Sequence, residues 1–529
     1  MQPKINGSIA RAVPWMVFVL LIASAVVAFA FAKWWPMQVD AGWYSYPGYA
    51  LSEGRDPSEN MLPPASLPLD KPGIRSLFPW ENRSFLLVRL YAMWFSVAGH
   101  SQISLACFGI FMWLGLSALI GLAVWIASRN KWATTAAVLA ATTDSMIIKE
   151  SMADLRPDVP LAIVAVGALC CLLWFLRRPN AGAWLVSGLL LGTLPLVHTT
   201  GVLPLGALLA TVGLIWVFAW GRRDHARLSL IFLIAIALAA VLFRQPIVDV
   251  LIPTHVPLEF EKIGRHDMAQ RWHEMLDAGV LVKVTHELER WKGYFANANI
   301  AQFAFLITGL AGLVAPGDGN PKRGFHLNLL AGWIAGVALI SLLDPHFTST
   351  HMIPLVSLGY AYAGIGWGRW LERGFASMRG APQILLAALC CLGMIVKSAE
   401  AVHLVHKGAA NGVTHAEITE LLSRALPPTP GTLWAFAPTS IWLYLPSGGT
   451  TVLVDQRGKR NYLDSEAWPR ISVLIVDSDF LGYGWRKTID DGIACGNLHP
   501  IGRVGDADVD AIYYLEAFQV LHVPRCETR

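Results

Sequence analysis

Charged side chains are scarce in this sequence. Of its 529 residues, 15% are Asp, Glu, Lys or Arg, whereas 54% are hydrophobic and 22 are tryptophan. The mean hydropathy is +0.47. A soluble chain of this length needs far more charge to cover its surface. The composition therefore excludes a soluble multidomain protein and predicts a polytopic membrane protein, and the small net charge of +4 gives no support to nucleic-acid binding.

Several catalytic signatures are also missing. The sequence has no dinucleotide fingerprint, no Walker loop and no nucleophile elbow. His273-Glu274 and His286-Glu287 start like zinc-protease motifs, but Asp277 and Arg290 stand where the second histidine belongs. A metalloprotease, or an enzyme that uses a cytosolic sugar nucleotide, is therefore unsupported.

Cysteine is rare as well, with seven in the chain. Cys170-Cys171 and Cys390-Cys391 fall in apolar runs, where we expect them to act as small apolar residues. Cys495 and Cys526 fall in a more polar region near the C-terminus. In an oxidising compartment this pair has the setting for a disulfide, and the sequence leaves open whether it forms.

Long apolar runs dominate the first 400 residues, and about eleven approach the length that spans a bilayer. They cover residues 14–32, 101–127, 132–148, 158–176, 182–197, 201–220, 228–243, 301–315, 325–343, 351–371 and 382–397. Basic residues cluster in alternate connections, which the positive-inside rule places in the cytoplasm together with the N-terminus. We therefore predict a multi-pass protein of the bacterial inner membrane, with the connections rich in acids and histidines outside.

The composition changes near residue 398. We predict a transmembrane domain over residues 1–397, with external loops at 35–100 and 244–300, and we expect the second loop to act as an amphipathic lid. For residues 398–529 we predict an external, periplasmic or extracellular α/β domain. Its predicted elements are a helix at 415–426 and strands at 432–436, 451–454, 471–476 and 511–515.

Asp40 opens a polar stretch directly after the first apolar run. The preceding residues Lys33-Trp34-Trp35-Pro36 carry the amphipathic side chains of a membrane surface and a proline that ends a helix. After Asp40 come Gly42-Trp43-Tyr44, a short apolar run and Gly54-Arg55-Asp56-Pro57. An aspartate that caps a surface helix is the purely structural alternative.

This stretch resembles the first external loop of the GT-C membrane glycosyltransferases, which include bacterial aminoarabinose transferases and protein O-mannosyltransferases. Those enzymes commonly carry a second acid directly after the first, and this chain has Ala41 there. Three later features also resemble GT-C enzymes: Arg156-Pro157-Asp158 at the start of a span, His198 at the end of a Gly-Leu-rich span, and His351 three residues before a proline.

The resemblance implies a polytopic GT-C fold and transfer of a sugar from a polyprenyl-phosphate donor to an acceptor hydroxyl on the outer face. It implies inversion at the anomeric carbon, with Asp40 as the general base. Our hypothesis is that the donor phosphate is held by some of six basic residues, with Tyr44, Asp154 and Asp158 in support: Lys71, Arg75, Arg156, His198, His346 and His351. The acceptor, a lipid, polysaccharide or protein, stays open, as do the sugar and a divalent metal ion.

Two other functions stay open at this stage. One is a transporter or flippase for a lipid-linked glycan, although the sequence shows neither an inverted repeat nor a cluster of charges in mid-span. The other is a non-catalytic membrane scaffold, which the missing second acid favours. For Arg156 and Asp158 an interfacial ion pair is the structural alternative, and for each histidine it is a solvated or capping side chain.

Overall fold

The computed structural model is mostly helical, with one small sheet built largely from the C-terminal part of the chain. It describes residues 7–32, 39–55, 61–62, 84–152, 154–178, 181–218, 279–296, 299–314, 323–343, 349–376, 385–397, 413–445, 450–455, 468–477, 485–505 and 514–521, with a few single positions between them. The predicted site residues Lys71, Arg75 and His346 lie outside the described residues, as does Cys526.

Most of the described helices before residue 400 follow the apolar runs of the sequence, and three lie within the predicted external loops. The helices are α1 Gly7–Ala32, α2 Val39–Ser52, α3 Phe85–Ala98, α4 Gln102–Ser128, α5 Lys131–Thr142, α6 Ser145–Met152, α7 Asp158–Arg177, α8 Ala181–Val197, α9 Val202–Phe218, α10 Gly279–Phe295, α11 Ile300–Val314, α12 Arg323–Leu343, α13 Ile353–Ala376 and α14 Leu385–Lys397. Buried Leu, Ala, Val and Ile side chains of α4, α5, α7 and α13 form the centre of the bundle.

Two described helices, α4 and α7, are long and apolar enough to cross a membrane. A third candidate is the pair formed by residues 281–295 and 300–314, which bend by 114° relative to each other. Several further apolar helices, such as α8 and α9, are shorter than this criterion requires. The number of eleven spans therefore stays a prediction.

The run predicted as one span over 132–148 is divided into α5 and α6. The break falls at Asp144, whose carboxyl Oδ1 accepts the backbone N–H groups of Met146 and Ile147 at 2.9 and 3.1 Å. A side chain that caps these N–H groups starts a new helix. The local cap therefore overrides the apolar pattern.

α3 lies within the predicted first external loop. Leu87, Val88, Tyr91 and Phe95 are buried on one face, while Met93 is exposed on the other. The buried face packs against α2 and α4. α3 therefore has one buried face and one exposed face.

The sheet has six strands in the order β1-β3-β2-β4-β6-β5. The strands are β1 Met61–Leu62, β2 Thr432–Ala437, β3 Thr450–Asp455, β4 Val473–Asp477, β5 Leu498–Val504 and β6 Leu515–Val520. β1, β2, β3 and β4 run parallel, whereas β6 is antiparallel to both β4 and β5. We call this sheet, with α15 His415–Ala425, α16 Arg486–Ala494 and their connecting turns, the C-terminal unit.

The sequence predicts α15, β2, β3 and β4 nearly at their observed positions. The last strand lies at Leu515–Val520 rather than at 511–515. β5 was not predicted, because Pro500 and Gly502 resemble turn residues. The structure accommodates them at the sheet edge, with a register irregularity between the two residues.

Cys495 ends α16 and is disulfide-bonded. The cysteines within the helical bundle, including Cys170 and Cys390, are free. Cys495 therefore behaves as its polar surroundings predict, and the free cysteines behave as apolar residues.

Candidate functional site

α2, the helix that carries Asp40, has a defined C-terminal cap. Gly54 takes a left-handed conformation with φ 69°, its N–H donates to the carbonyl of Leu51, and the N–H of Arg55 donates to the carbonyl of Ala50. These are the two hydrogen bonds of a Schellman motif, in which glycine adopts positive φ without strain. The glycine of the Gly-x-x-Pro pattern therefore ends α2.

One side of α2 packs closely against α3. A Cβ atom on Gly48 would lie 2.3 Å from the Cβ of Tyr91, so only glycine fits at this crossing. The hydroxyl group of Tyr91 donates to the carbonyl of Leu155 at 2.8 Å. Because Tyr44 on α2 is an electrostatic neighbour of Tyr91, the helix bearing Asp40 lies beside the turn that contains Leu155.

His198 contacts α2 directly. Its ring meets the ring of Tyr44 edge-on, with 6.3 Å between the centroids. The backbone N–H of Thr200 donates to His198 Nδ1 at 3.2 Å, and the Thr200 hydroxyl lies 2.8 Å from the same nitrogen. Nδ1 is thus an acceptor, and a neutral ring carries its proton on Nε2. His198 has the tautomer with an Nε2–H group that can donate to an anionic ligand.

The turn before α7 carries a strained residue. Leu155, which is buried, has φ 49°, a left-handed conformation that a branched side chain rarely adopts. Such strain persists only where the surroundings fix it, and it concentrates at functional sites. The hydrogen bond from Tyr91 is one contact that fixes it here.

Charged groups surround this turn. Arg156 Nε lies 3.5 Å from Glu150 Oε2 and 3.3 Å from Asp158 Oδ2, while Lys149 Nζ lies 3.5 Å from Asp154 Oδ2. Asp158 is therefore an ion-pair partner of Arg156, and Asp154 is an ion-pair partner of Lys149. The predicted contact of Arg156 with a donor phosphate stays a prediction, and the acidic neighbours weaken the positive potential that a phosphate meets there.

Glu150 has the most perturbed carboxyl group of this turn. Its side chain is fully buried, and burial, with the negative charges of Asp154 and Asp158 adding to it, raises its pKa to about 9. Arg156 and Lys149 act in the opposite direction. At neutral pH Glu150 is therefore protonated, and the charges of Lys149, Asp154, Arg156 and Asp158 cancel.

Asp144 connects this turn to the other side of the bundle. Its Oδ2 accepts the hydroxyl groups of Tyr294 on α10 at 3.0 Å and Tyr360 on α13 at 2.7 Å. Its Oδ1 accepts the side-chain amide of Asn299 at 3.1 Å. This carboxyl group fixes the start of α6 to the bend between α10 and α11.

α10 closes the site from the side of the second predicted loop. Tyr294 is buried and is an electrostatic neighbour of Glu150 and Asp158. One turn earlier, the buried Arg290 forms an ion pair with Glu287, with 3.2 Å between nitrogen and oxygen. The inner face of α10 therefore carries the buried Tyr294 and Arg290, and Tyr294 lies near the acidic turn.

His351 lies in a 3-10 turn, Ser349–Met352, at the start of α13. This turn contacts α7, which begins with Asp158, and it also contacts α10. The side chain of Asp40 is not among those described, although its backbone belongs to α2. The structure thus places α2 beside His198 and the turn of His351 against α7 and α10, and the roles of these residues stay predictions.

Sequence reasoning assigned no site role to four residues that shape this site. Tyr91, Asp144, Tyr294 and Tyr360 join elements that are between 64 and 216 residues apart in the chain. Asp144 could be recognised from the sequence, because a carboxylate inside an apolar run is energetically costly unless its oxygens accept hydrogen bonds. The three tyrosines could not be recognised in this way, since aromatic residues at helical spacing are typical of any core.

The described side chains include no group of three or more His, Cys, Asp or Glu that could hold a metal ion. At the acidic turn, Arg156 occupies the space between the carboxyl groups of Glu150 and Asp158. These residues therefore do not fit a divalent cation, and no step below uses one.

Comparison with known proteins adds the fold family. No family model and no curated protein sequence matches the chain. ArnT from Cupriavidus metallidurans, solved with bound undecaprenyl phosphate, aligns over 96% of this chain and 98% of its own, with 14% identity and a TM-score of 0.54. The oligosaccharyltransferase of Archaeoglobus fulgidus, solved in complex with Zn and sulfate, aligns over 87% of this chain and 68% of its own, with 11% identity and a TM-score of 0.54. The chain has a GT-C fold.

A third alignment supports the same fold. The archaeal oligosaccharyltransferase AglB from Archaeoglobus fulgidus, in complex with an inhibitory peptide and a dolichol-phosphate, aligns over 97% of this chain and 75% of its own, with 10% identity and a TM-score of 0.52. These GT-C proteins are integral membrane proteins. The GT-C fold that the Asp40 stretch and the later motifs imply is confirmed.

Proposed function

We propose that this protein transfers a sugar from a polyprenyl-phosphate carrier to a hydroxyl group of an acceptor at the outer face of the membrane. The observation that carries the proposal is the packing of α2, the helix bearing Asp40, against His198 and beside the Arg156 turn within a GT-C fold. A predicted base and two predicted phosphate ligands thus belong to neighbouring elements. A lipid, polysaccharide or protein acceptor is compatible with this arrangement.

The class of donor has separate support. ArnT was solved with undecaprenyl phosphate, and AglB with a dolichol-phosphate. Both ligands are phosphates of long polyprenyl chains. Such a donor reaches the site through the bilayer, so the reaction needs no nucleotide-binding domain.

The proposed chemistry is a direct displacement. The acceptor oxygen attacks the anomeric carbon opposite the phosphate, so a new carbon–oxygen bond forms while the bond to the phosphate oxygen breaks and the configuration inverts. The phosphate leaves with the electron pair, and the acceptor proton passes to Asp40.

Charge develops on the leaving phosphate during this step. Donors directed at that charge stabilise the transition state. His198 supplies Nε2–H, and His351 and Arg156 lie on adjoining elements. Lys71, Arg75 and His346 are further proposed ligands, whereas Tyr44, Asp154 and Asp158 orient them.

The proposal includes a topology. Residues 1–397 form the transmembrane catalytic domain with the N-terminus in the cytoplasm, and residues 398–529 lie outside, in the periplasm or its equivalent. The disulfide-bonded Cys495 supports this placement, because disulfides persist in oxidising compartments.

The decisive test is transfer of labelled sugar from a panel of polyprenyl-phosphate donors to a cell-envelope extract, with purified protein in lipid. We expect Asp40→Asn to lower kcat by about 10²- to 10⁴-fold, because the amide keeps the shape of the side chain and removes the base. Glu53→Gln is the matched control, since Glu53 is an exposed acid just after the same helix.

Wild-type turnover in a folded Asp40→Asn variant would disprove the role of Asp40. If the wild type transfers no sugar from any donor but moves the lipid across the bilayer, the protein is a transporter instead.

A further inference from the structure

The C-terminal unit touches α2 through one short 3-10 turn, Thr439–Tyr444. A Cβ atom on Gly42 would lie 2.4 Å from the carbonyl carbon of Thr439 and 2.5 Å from the backbone nitrogen of Ser440. No larger residue fits while the two backbones stay this close. The glycine that follows Asp40 by two positions is therefore a contact point between two distant parts of the chain.

Trp442 of this turn makes three contacts with α2. Its Nε1–H donates to Ser45 Oγ at 3.1 Å, and Ser45 Oγ in turn donates to the carbonyl of Ala41 at 2.5 Å. The indole stacks on the ring of Tyr49, with centroids 4.9 Å apart and planes 19° apart, and meets the ring of Tyr46 edge-on at 5.6 Å. Trp442 is buried, so these contacts are shielded from water.

A second link holds the chain just after α2. Met61 and Leu62 form β1, which pairs in parallel with Leu453 and Val454 of β3. The segment that leaves α2 through Gly54 therefore ends as an edge strand of the C-terminal sheet. The C-terminal unit therefore contacts α2 itself and also includes the strand that follows α2 in the chain.

α2 needs such support. It has 14 residues and Pro47 in its interior, where proline removes a backbone hydrogen bond. Helices of this length are marginal without packing. The position of Asp40 along and around this helix therefore depends on the surfaces that hold α2, which are α3 on one side and the Thr439–Tyr444 turn on another.

We infer that Trp442 is a positioning residue, and that the Thr439–Tyr444 turn holds α2 where Asp40 can act on the acceptor. This inference rests on the proposed function for its effect on turnover, whereas the contact itself does not. The C-terminal unit is then a structural part of the catalytic site, because without its turn the base would not be held in place.

The test uses the full chain in lipid, with two readouts: hydrogen exchange of the backbone over α2, and steady-state kinetics. We expect Trp442→Ala to increase exchange in α2 and to lower kcat by about tenfold to 100-fold, because small misplacements of a catalytic group cost this much. The donor KM should change far less, since the proposed phosphate ligands lie on other elements.

Graded variants separate positioning from general instability. Trp442→Phe keeps the stacking and loses the N–H donor, so it should behave like Ser45→Ala, and the double variant should be no worse than either single one. Gly42→Ala should resemble Trp442→Ala. The matched controls are Gly115→Ala, where an added Cβ meets nothing within 4 Å, and Trp485→Phe, a buried tryptophan of the same unit that packs against Phe436.

Unchanged exchange and unchanged kcat in Trp442→Ala and Gly42→Ala would overturn the inference. An equal loss of kcat in Trp485→Phe would also overturn it, because the effect would then reflect general damage to the unit. If exchange in α2 rises while even the wild type transfers no sugar, the support of α2 stands and the proposed function fails.

Discussion

Glu150 is the residue whose chemistry departs furthest from that of an exposed side chain. It is fully buried next to Asp154 and Asp158, and its pKa is raised to about 9. Between the ordinary glutamate pKa near 4.5 and this value, the folded protein binds one proton more than the unfolded chain does. Linkage then requires the free energy of unfolding to fall as pH rises across that window.

We expect Glu150→Gln to remove this dependence. Glutamine mimics the protonated acid and does not titrate, so the stability advantage of the wild type over the variant should decrease from pH 5 to about pH 9. The measurement is the melting temperature of both proteins in lipid at several pH values. Glu420→Gln, on an exposed face of α15, serves as the control and should keep the wild-type pH dependence.

Parallel pH profiles for wild type and Glu150→Gln would contradict the raised pKa. They would indicate that Arg156 keeps Glu150 ionised in the folded protein.

At the scale of elements, the main feature is the hydrogen-bond network of Asp144, which connects α6, α10 and α13. Asp144 accepts hydroxyl groups from Tyr294 and Tyr360, and Asn299 bonds to both Asp144 Oδ1 and the carbonyl of Tyr294. These contacts fix the bend between α10 and α11, and with it the face of α10 that meets the acidic turn. Removing these hydrogen bonds should therefore lower the stability of the fold and disturb the site.

We predict that Tyr360→Phe lowers the free energy of unfolding by about 1–3 kcal/mol, because it removes a donor from a buried carboxyl group. Tyr362→Phe is a matched control on the same helix, with a hydroxyl group that bonds to Thr211. Thr211 keeps its own bond to the carbonyl of Ala207, so that change should cost less. Thermal or denaturant unfolding in mild detergent measures the free energy of unfolding of both variants. Equal losses in the two variants would contradict a special role of Asp144 in holding α6, α10 and α13 together.

At the scale of the whole molecule, the two ends of the chain meet at one place. The first predicted loop contributes α2 and β1, and the C-terminal unit supplies the turn and the sheet that hold them. The helical bundle contributes His198 and the acidic turn from the opposite side of α2. The site therefore forms only when both parts are folded together.

The disulfide of Cys495 should matter to this assembly. We expect Cys495→Ser to destabilise the C-terminal unit by about 2–5 kcal/mol, as loss of a native disulfide commonly does. Thermal unfolding of the full chain, with and without a reducing agent, measures this. Reductant should lower the melting temperature of the wild type to that of the variant, and a wild type that is insensitive to reductant would show that the bond adds no stability.

The sequence alone determined much of the helical framework and part of the site. Apolar runs predicted α4, α7 and α8 because burying or inserting a helix requires a continuous apolar stretch. Arg156-Pro157-Asp158 marked the start of α7, because proline fits the first turn of a helix. Asp40, Tyr44 and His198 were singled out by the resemblance of their surroundings to GT-C enzymes, and their roles stay predictions.

Only the tertiary structure decided how these residues meet. The attachment of Asp144 to α10 and α13 depends on two tyrosines that lie 150 and 216 residues away, and the position of α2 depends on Trp442, which is 397 residues from Ser45. Hydrophobic periodicity and turn chemistry act over a few residues, so they define elements and their ends. Contacts between distant segments are set by packing and by the need to satisfy buried polar groups, which local sequence does not encode.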